Sequence, residues 1–317
     1  MIYFLITWLR NKLYDLGILK SYSFSLPKII SVGNLTVGGT GKTPHIEFFV
    51  EKFLSEGKRV AVISRGYKRK TKGFLLATEA DTAYTIGDEP YQIFCKFPQI
   101  TVAVDSDRVR AVQRLMDRTD CPDIILLDDA FQHRRIVPWR QIVLVDFNRP
   151  IFSDYIMPYG RLREARGGIK RASEVIVTKC PIDLSEEEKR SFAKKLKLKS
   201  NQPINFSTFE FLPPKNIFNG HQLVLDKRYN FQIITGVVSP QSLYLEMEKY
   251  ATSIYTTKFG DHHFFSSKDI DFINKETEQG RIVIVTEKDA SRLLHLEGLT
   301  IKSKQSIYSV VIKVKFI

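Results

Sequence analysis

The sequence predicts an α/β protein built on a doubly wound parallel sheet, and three observations predict it. Short apolar runs alternate with stretches of helical periodicity between residues 29 and 178. One run, with Ile29, Ile30 and Val32, leads into a glycine-rich turn, Thr36-Val37-Gly38-Gly39-Thr40-Gly41, and Lys42-Thr43 then opens a helix. Another, Ile124-Ile125-Leu126-Leu127, ends in Asp128-Asp129. A glycine-rich turn between strand and helix directs backbone N–H groups at a phosphate. An acid ending a buried strand beside it faces the Mg²⁺ of the nucleotide. The fold is therefore read as P-loop NTPase-like, with a nucleotide-hydrolysing or phosphoryl-transfer core. In the turn, Lys42 would reach the terminal phosphates and the Thr43 hydroxyl would hold Mg²⁺.

The elements follow in chain order. Residues 1–24 begin with Ile2, Tyr3, Phe4, Leu5, Ile6, Trp8 and Leu9, too short a run to span a bilayer, which takes about twenty residues. At helical spacing Thr7, Arg10, Asn11 and Asp15 share one face, and Ile2, Leu5, Ile6, Leu9, Leu13 and Leu16 the other. Such a helix either lies at a membrane interface or packs on the protein's own core. Ile46, Phe49, Val50 and Phe53 then repeat at helical spacing up to Gly57. Val60–Ile63 is a strand running into Ser64-Arg65-Gly66-Tyr67. A loop there is where open α/β sheets bind ligands, and Arg65 reads either as a phosphate contact or as a solvated base. Asp88 and Glu89 read as a helix cap or as a general base. Thr101–Val104, Gln141–Asp146 and Glu174–Thr178 are further strands, and Asp107–Met116 is a helix. Gln132 and His133 just past the second acidic strand suit a site better than a core. Arg161, Arg163 and Glu164 form a charged loop suited to phosphate and metal or to solvent. Thr178-Lys179 lacks the Asn and Asp expected of a guanine site.

Residues 25–205 thus form the nucleotide-binding domain, and residues 206–317 a smaller α/β domain without a phosphate loop. In the latter Phe231–Thr235 and Arg281–Val285 are strands, Pro240–Tyr250 is a helix, and Ile307–Phe316 is a closing strand. Asp261-His262 reads either as a pair that polarises a catalytic group or as a solvated loop. The net charge of +13 calls for an anionic partner: nucleic acid, an anionic membrane surface or a phosphorylated substrate. Aromatic–basic interleaving of the kind that stacks bases is absent from the sequence, so no nucleic acid is expected. Cys95, Cys121 and Cys180 show no metal or disulfide spacing.

In order and number these motifs resemble the tetraacyldisaccharide 4'-kinase family, the lipid A 4'-kinases. The likeness runs from Gly33–Pro44 through Ser64–Tyr67, Gly87–Pro90, Asp128–His133, Gly160–Glu164 and Asp261-His262 to Thr286–Asp289. It also accounts for Thr36 where a phosphate loop usually has Gly. Ala130 and Arg161 depart from the family's more common Gly and Pro. The resemblance implies ATP-dependent phosphorylation of a lipid A disaccharide precursor at its 4'-hydroxyl, on the cytoplasmic face of a bacterial inner membrane. It implies Asp88 as base with His262 as its partner, and Arg163 offsetting phosphoryl charge. It implies Thr43, Asp128, Asp129 and Glu164 around Mg²⁺, and Arg65, Tyr67, Glu89, Gln132 and His133 for the substrate. ATP would sit on residues Thr36 to Thr43. A rival of another class is a membrane-recruited ATPase switch of the partitioning type. Its loop would carry an extra Lys where this chain has Val37.

Overall fold

A computed structural model describes residues 2–225, 229–236, 240–260, 263, 265–294 and 296–317, the side chain of Ile2 excepted. The chain divides into two compact units, Met1–Phe209 with Val314–Ile317, and Glu210–Lys313. The leading helix belongs to the first unit. The first unit also keeps residues 206–209, beyond the boundary expected at 205, because Phe206 is buried in its core.

The first unit begins with α1 (Ile2–Asp15) and a two-residue strand β1 (Tyr22–Ser23). Then come β2 (Lys28–Asn34), α2 (Lys42–Ser55), β3 (Val60–Ser64) and β4 (Leu75–Leu76). A short α3 (Ala83–Ile86), α4 (Asp88–Lys96), β5 (Thr101–Val104) and α5 (Arg108–Met116) follow. Next are β6 (Ile124–Asp128), β7 (Ile136–Val137), β8 (Arg140–Asp146) and β9 (Glu174–Thr178). The charged helix α6 (Glu186–Leu196) and β10 (Ile204–Phe211) lead out of the unit.

Strands β5-β3-β6-β2-β8-β9-β10 are consecutive neighbours in one nine-stranded sheet, and all six pairings are parallel. Both faces are buried. Ile30 and Val32 of β2 point into a cluster with Ile46, Phe49 and Val50 of α2, whereas Ile29 packs with Val109 and Val112 of α5. From β2 the chain goes first to β3 and later, past β6, to β8 on the opposite side. The C-terminal end of β2 is thus the switch point at which a doubly wound sheet opens a crevice.

The second unit contains β11 (Lys215–Asn216), β12 (Tyr229–Thr235), α7 (Gln241–Glu248), β13 (Ala251–Lys258) and α8 (Ser267–Glu278). It ends with β14 (Ile282–Thr286), α9 (Glu287–Leu293), α10 (Ile301–Ser306) and β15 (Ile307–Val310). Its sheet runs β11-β15-β14-β12-β13, parallel except for β11. The single closing strand expected over 307–316 is two strands. It breaks at Val311, and β16 (Ile312–Phe316) joins the nine-stranded sheet beside β10.

Helix α1 is inverted relative to an ordinary surface helix. Thr7 on its polar face is 7% exposed, while Leu5, Ile6 and Leu9 are 59%, 60% and 51% exposed. Trp8, Leu16 and Ile18 are exposed too. No described helix is long and apolar enough to cross a membrane.

Candidate active site

The turn between β2 and α2 is braced from β2 itself and from the β8, β9 and β10 side of the sheet. Gly41 caps α2 at φ 85°, a left-handed conformation that suits glycine, and a Cβ there would meet the Phe209 ring at 2.6 Å. Asn34 donates its amide to the Thr40 hydroxyl at 2.7 Å, and the Thr178 hydroxyl donates to the Thr40 carbonyl at 2.9 Å. Lys179 bonds both the Gly39 carbonyl and Asp146, so the position that lacks guanine-reading residues holds the loop instead. His45 is fully buried, and burial lowers its pKa to about 4, so it is neutral. Its Nδ1–H donates to the Gly41 carbonyl at 2.8 Å, leaving Nε2 to accept from Ser207 at 3.1 Å. The turn is therefore fixed in shape at the N-terminal end of α2, where first-turn N–H groups are suited to an anion.

Two acids face this turn from β6, and they differ. Asp129 has φ 48°, an uncommon conformation for a non-glycine residue and one that collects at functional sites. Both its carboxylate oxygens accept from Arg163 at 2.8 Å, and Lys42 lies 3.8 Å away. Burial raises its pKa, but Lys42 and Arg163 outweigh burial and hold the group below the usual carboxylate range. Asp128 is more deeply buried. One oxygen accepts from the Ser64 hydroxyl at 3.2 Å, and the other, Oδ1, is buried without a donor among the described residues. Burial, with help from Glu89 and Asp129, pushes its pKa up to about 7. A buried carboxylate oxygen lacking a donor beside Lys42 is the donor set of a hard cation, so Mg²⁺ fits here with Thr43 and phosphate oxygens completing its shell. Among the described residues no cluster of three or more His, Cys, Asp or Glu encloses a metal unaided. A nucleotide-borne Mg²⁺ does not need one.

The remaining wall comes from β3, α4 and α5. Gly87 has φ 95°, and a Cβ on it would crowd the Tyr67 carbonyl at 3.1 Å and Gly66 at 3.2 Å. That close approach seats Asp88, the first residue of α4, beside the loop carrying Arg65 and Tyr67. Asp88 is 4% exposed, and Glu89 lies near enough to raise the Asp128 pKa. Arg65 and Tyr67 are exposed.

One residue was not foreseen. Arg108 is 4% exposed, its Nε has no partner among the described residues, and its charge acts on Asp128, Asp129 and Arg65. It opens α5, the helix end at which a positive charge is disfavoured. That violation was the available signal. His133 lies within its field. Burial first, then Arg108, lowers the His133 pKa to about 4, and its Nε2 is buried with no partner among the described residues.

Two of the expected residues are otherwise engaged. Glu164 was expected beside the metal, yet at 1% exposure both its oxygens are taken. Oε1 accepts from Arg171 at 2.9 Å and Gln132 at 3.2 Å, and Oε2 accepts from Asn11 at 2.9 Å and Arg171 at 2.8 Å. Gln132 was expected to line the substrate. Its amide N–H groups go to Glu164 and, at 2.8 Å, to the Asn34 carbonyl. Asp261 and His262 lie outside the described residues.

A family model described as tetraacyldisaccharide-1-P 4'-kinase matches residues 1–316. The chain is 40% identical over 332 residues to the tetraacyldisaccharide 4'-kinase of Bacteroides thetaiotaomicron, covering 100% of this chain and 87% of that one. It is 43% identical to the enzyme of that name from Bacteroides fragilis, covering 98% and 85%. Its fold superposes on the "apo" form of LpxK from Aquifex aeolicus in complex with ATP with a TM-score of 0.76. Identity there is 27%, over 100% of this chain and 92% of that one.

Proposed function

The chain belongs to the tetraacyldisaccharide-1-P 4'-kinase family, and from that premise we propose how its residues perform the transfer. The enzyme is a kinase that uses ATP. The substrate is a tetraacylated disaccharide 1-phosphate, phosphorylated at its 4'-hydroxyl. The rival reading as a partitioning-type switch is set aside with the family.

The observation that carries the mechanism is the charge arrangement at the end of β6: Lys42, Asp129 and Arg163 in one ion-paired group, with the donor-poor Asp128 oxygen beside it. The β- and γ-phosphates would rest on the N–H groups of residues 38–43, with Lys42 neutralising them. Mg²⁺, held by Thr43 and Asp128, would supply further neutralisation of the transferring group. Asp129 keeps Lys42 and Arg163 oriented, and Arg163 would offset charge on the transferring phosphoryl group. Asp88 takes the 4'-hydroxyl proton, with His262 as its partner. Arg65, Tyr67, Glu89 and His133 bound the acceptor side, and Arg108 adds a buried positive charge there. We assign Glu164 and Gln132 to positioning rather than to metal or substrate contact, because their polar atoms are already satisfied by protein groups.

Helix α1 supports a place at the membrane surface. Its Leu5, Ile6 and Leu9 face outward while Thr7 and Asn11 face the protein, the reverse of what water alone would select. An anionic lipid surface also suits the net charge of +13. The acyl chains of the substrate would stay in the bilayer while its head reaches the site.

Purified protein incubated with γ-labelled ATP, Mg²⁺ and tetraacyldisaccharide 1-phosphate in mixed micelles should move label onto the lipid. Release of label as free phosphate, with none on lipid, would contradict the reading.

A further inference from the structure

The polar underside of α1 touches the site at two points. The Tyr3 hydroxyl donates to the Arg163 carbonyl at 3.0 Å, and the Asn11 amide donates to Glu164 at 2.9 Å. The two side chains stand about 12 Å apart along the helix, two turns, so together they fix its orientation as well as its position. Arg134 clamps the far end, donating to the Asn11 carbonyl and to Asp15 at 2.8 Å each.

The segment they hold is part of the phosphate loop's own scaffold. The Arg163 N–H donates to the Leu35 carbonyl at 2.7 Å, and the Val37 N–H donates to the Arg161 carbonyl at 2.8 Å. Arg163 is thus gripped on one side by the phosphate loop and on the other by Tyr3. Its guanidinium goes to Asp129 and, at 3.4 Å, to Gln132, whose amide bridges Glu164 and the Asn34 carbonyl. A membrane anchor needs only its apolar face. A buried carboxylate that takes a donor from the anchor, one hydrogen bond away from the residue tying β2 to Arg163, is a different arrangement.

We propose that Tyr3 and Asn11 are positioning residues for phosphoryl transfer, fixing the Arg163–Glu164 segment against the phosphate loop. The helix that meets the lipid surface thereby also sets the geometry of the site. The proposal rests on the kinase reading for its activity readout but not for its structural one.

Asn11→Ala leaves Glu164 short of a donor, and Tyr3→Phe removes one hydroxyl with the ring retained. Both should lower kcat, by about tenfold and about threefold on the usual scale of single hydrogen bonds to charged and neutral acceptors. The Kd for a fluorescent ATP analogue and partition onto phosphatidylglycerol–phosphatidylethanolamine vesicles should stay within about twofold, since neither contact is made by those residues. Adding Asn11→Ala to Glu164→Gln should cost little beyond Glu164→Gln alone, because the pair acts as a unit. Amide hydrogen exchange over residues 161–168 should quicken in Asn11→Ala and Tyr3→Phe with exchange in β12 and β14 unchanged. Wild-type kcat and wild-type exchange in both variants would overturn the proposal, as would losses confined to vesicle partition and lipid KM. If the wild type moves no phosphate to lipid, the kinase reading fails, and the exchange of residues 161–168 still decides whether α1 fixes that segment.

Discussion

Asp128 is buried at a cost to stability. Its pKa of about 7, raised by burial and then by Glu89 and Asp129, lies above its unfolded value, so folding takes up a proton between those two values. Stability is therefore lost as pH rises through that window, and the penalty stands in full above about pH 7. Asp128→Asn should raise the melting temperature of the ligand-free protein at pH 8 by more than it does at pH 4, while transfer falls by about 10²-fold or more. Thermal denaturation at the two pH values checks this, and an equal gain at both would contradict it. Arg108 makes the matching argument for a cation. Arg108→Ala should lower kcat/KM by about 10²-fold with the helix start itself slightly stabilised, because it removes a charge the α5 dipole disfavours. Steady-state kinetics beside a melting curve separates the two effects. Lys42 and Thr43 were legible in the sequence because they close a glycine-rich turn, and Asp128 and Asp129 because they end an apolar strand. Arg108 was not, since its partners are residues 128 and 129 on a strand that only folding brings near.

At the scale of the element, the sequence divided α1 into a polar and an apolar face without saying which met the protein. Periodicity gives the stripe, and only packing gives its direction. Thr7 and Asn11 turned inward and Leu5 and Leu9 outward resolve it. Leu5→Ser with Leu9→Ser should weaken vesicle binding by about 10²-fold or more, the scale of two leucine side chains returned to water, with the melting temperature in solution nearly unchanged. Sedimentation with phosphatidylglycerol vesicles measures the first and calorimetry the second. The phosphate loop is the other element whose shape is set by tertiary contacts. Gly41→Ala introduces a Cβ at φ 85° and against Phe209, so it should destabilise the fold by about 1–3 kcal/mol and weaken ATP binding. Titration with an ATP analogue and denaturant melts test that pair of outcomes. The glycines of this loop are visible in any reading of the sequence. Phe209, the reason Gly41 tolerates no side chain, is remote in sequence and was not.

At the scale of the whole molecule, the alternation of strand and helix was readable because parallel strands buried on both faces leave continuous apolar runs. The division of the C-terminal strand was not, for Ile307–Val310 and Ile312–Phe316 carry similar patterns and differ only in which sheet receives them. The first unit is thus closed by the last residues of the chain. The family match extends over residues 1–316, so it takes in the leading helix, the phosphate loop and the closing strand alike. We propose that Asp88, seated beside the Tyr67 loop, removes the proton from the acceptor hydroxyl. The direct measurement is single-turnover transfer from γ-labelled ATP to tetraacyldisaccharide 1-phosphate by Asp88→Ala, with ATP affinity determined on the same protein. The expected result is ATP binding within about twofold of wild type and transfer slowed by about 10²- to 10⁴-fold. Transfer at the wild-type rate with ATP binding intact would contradict it.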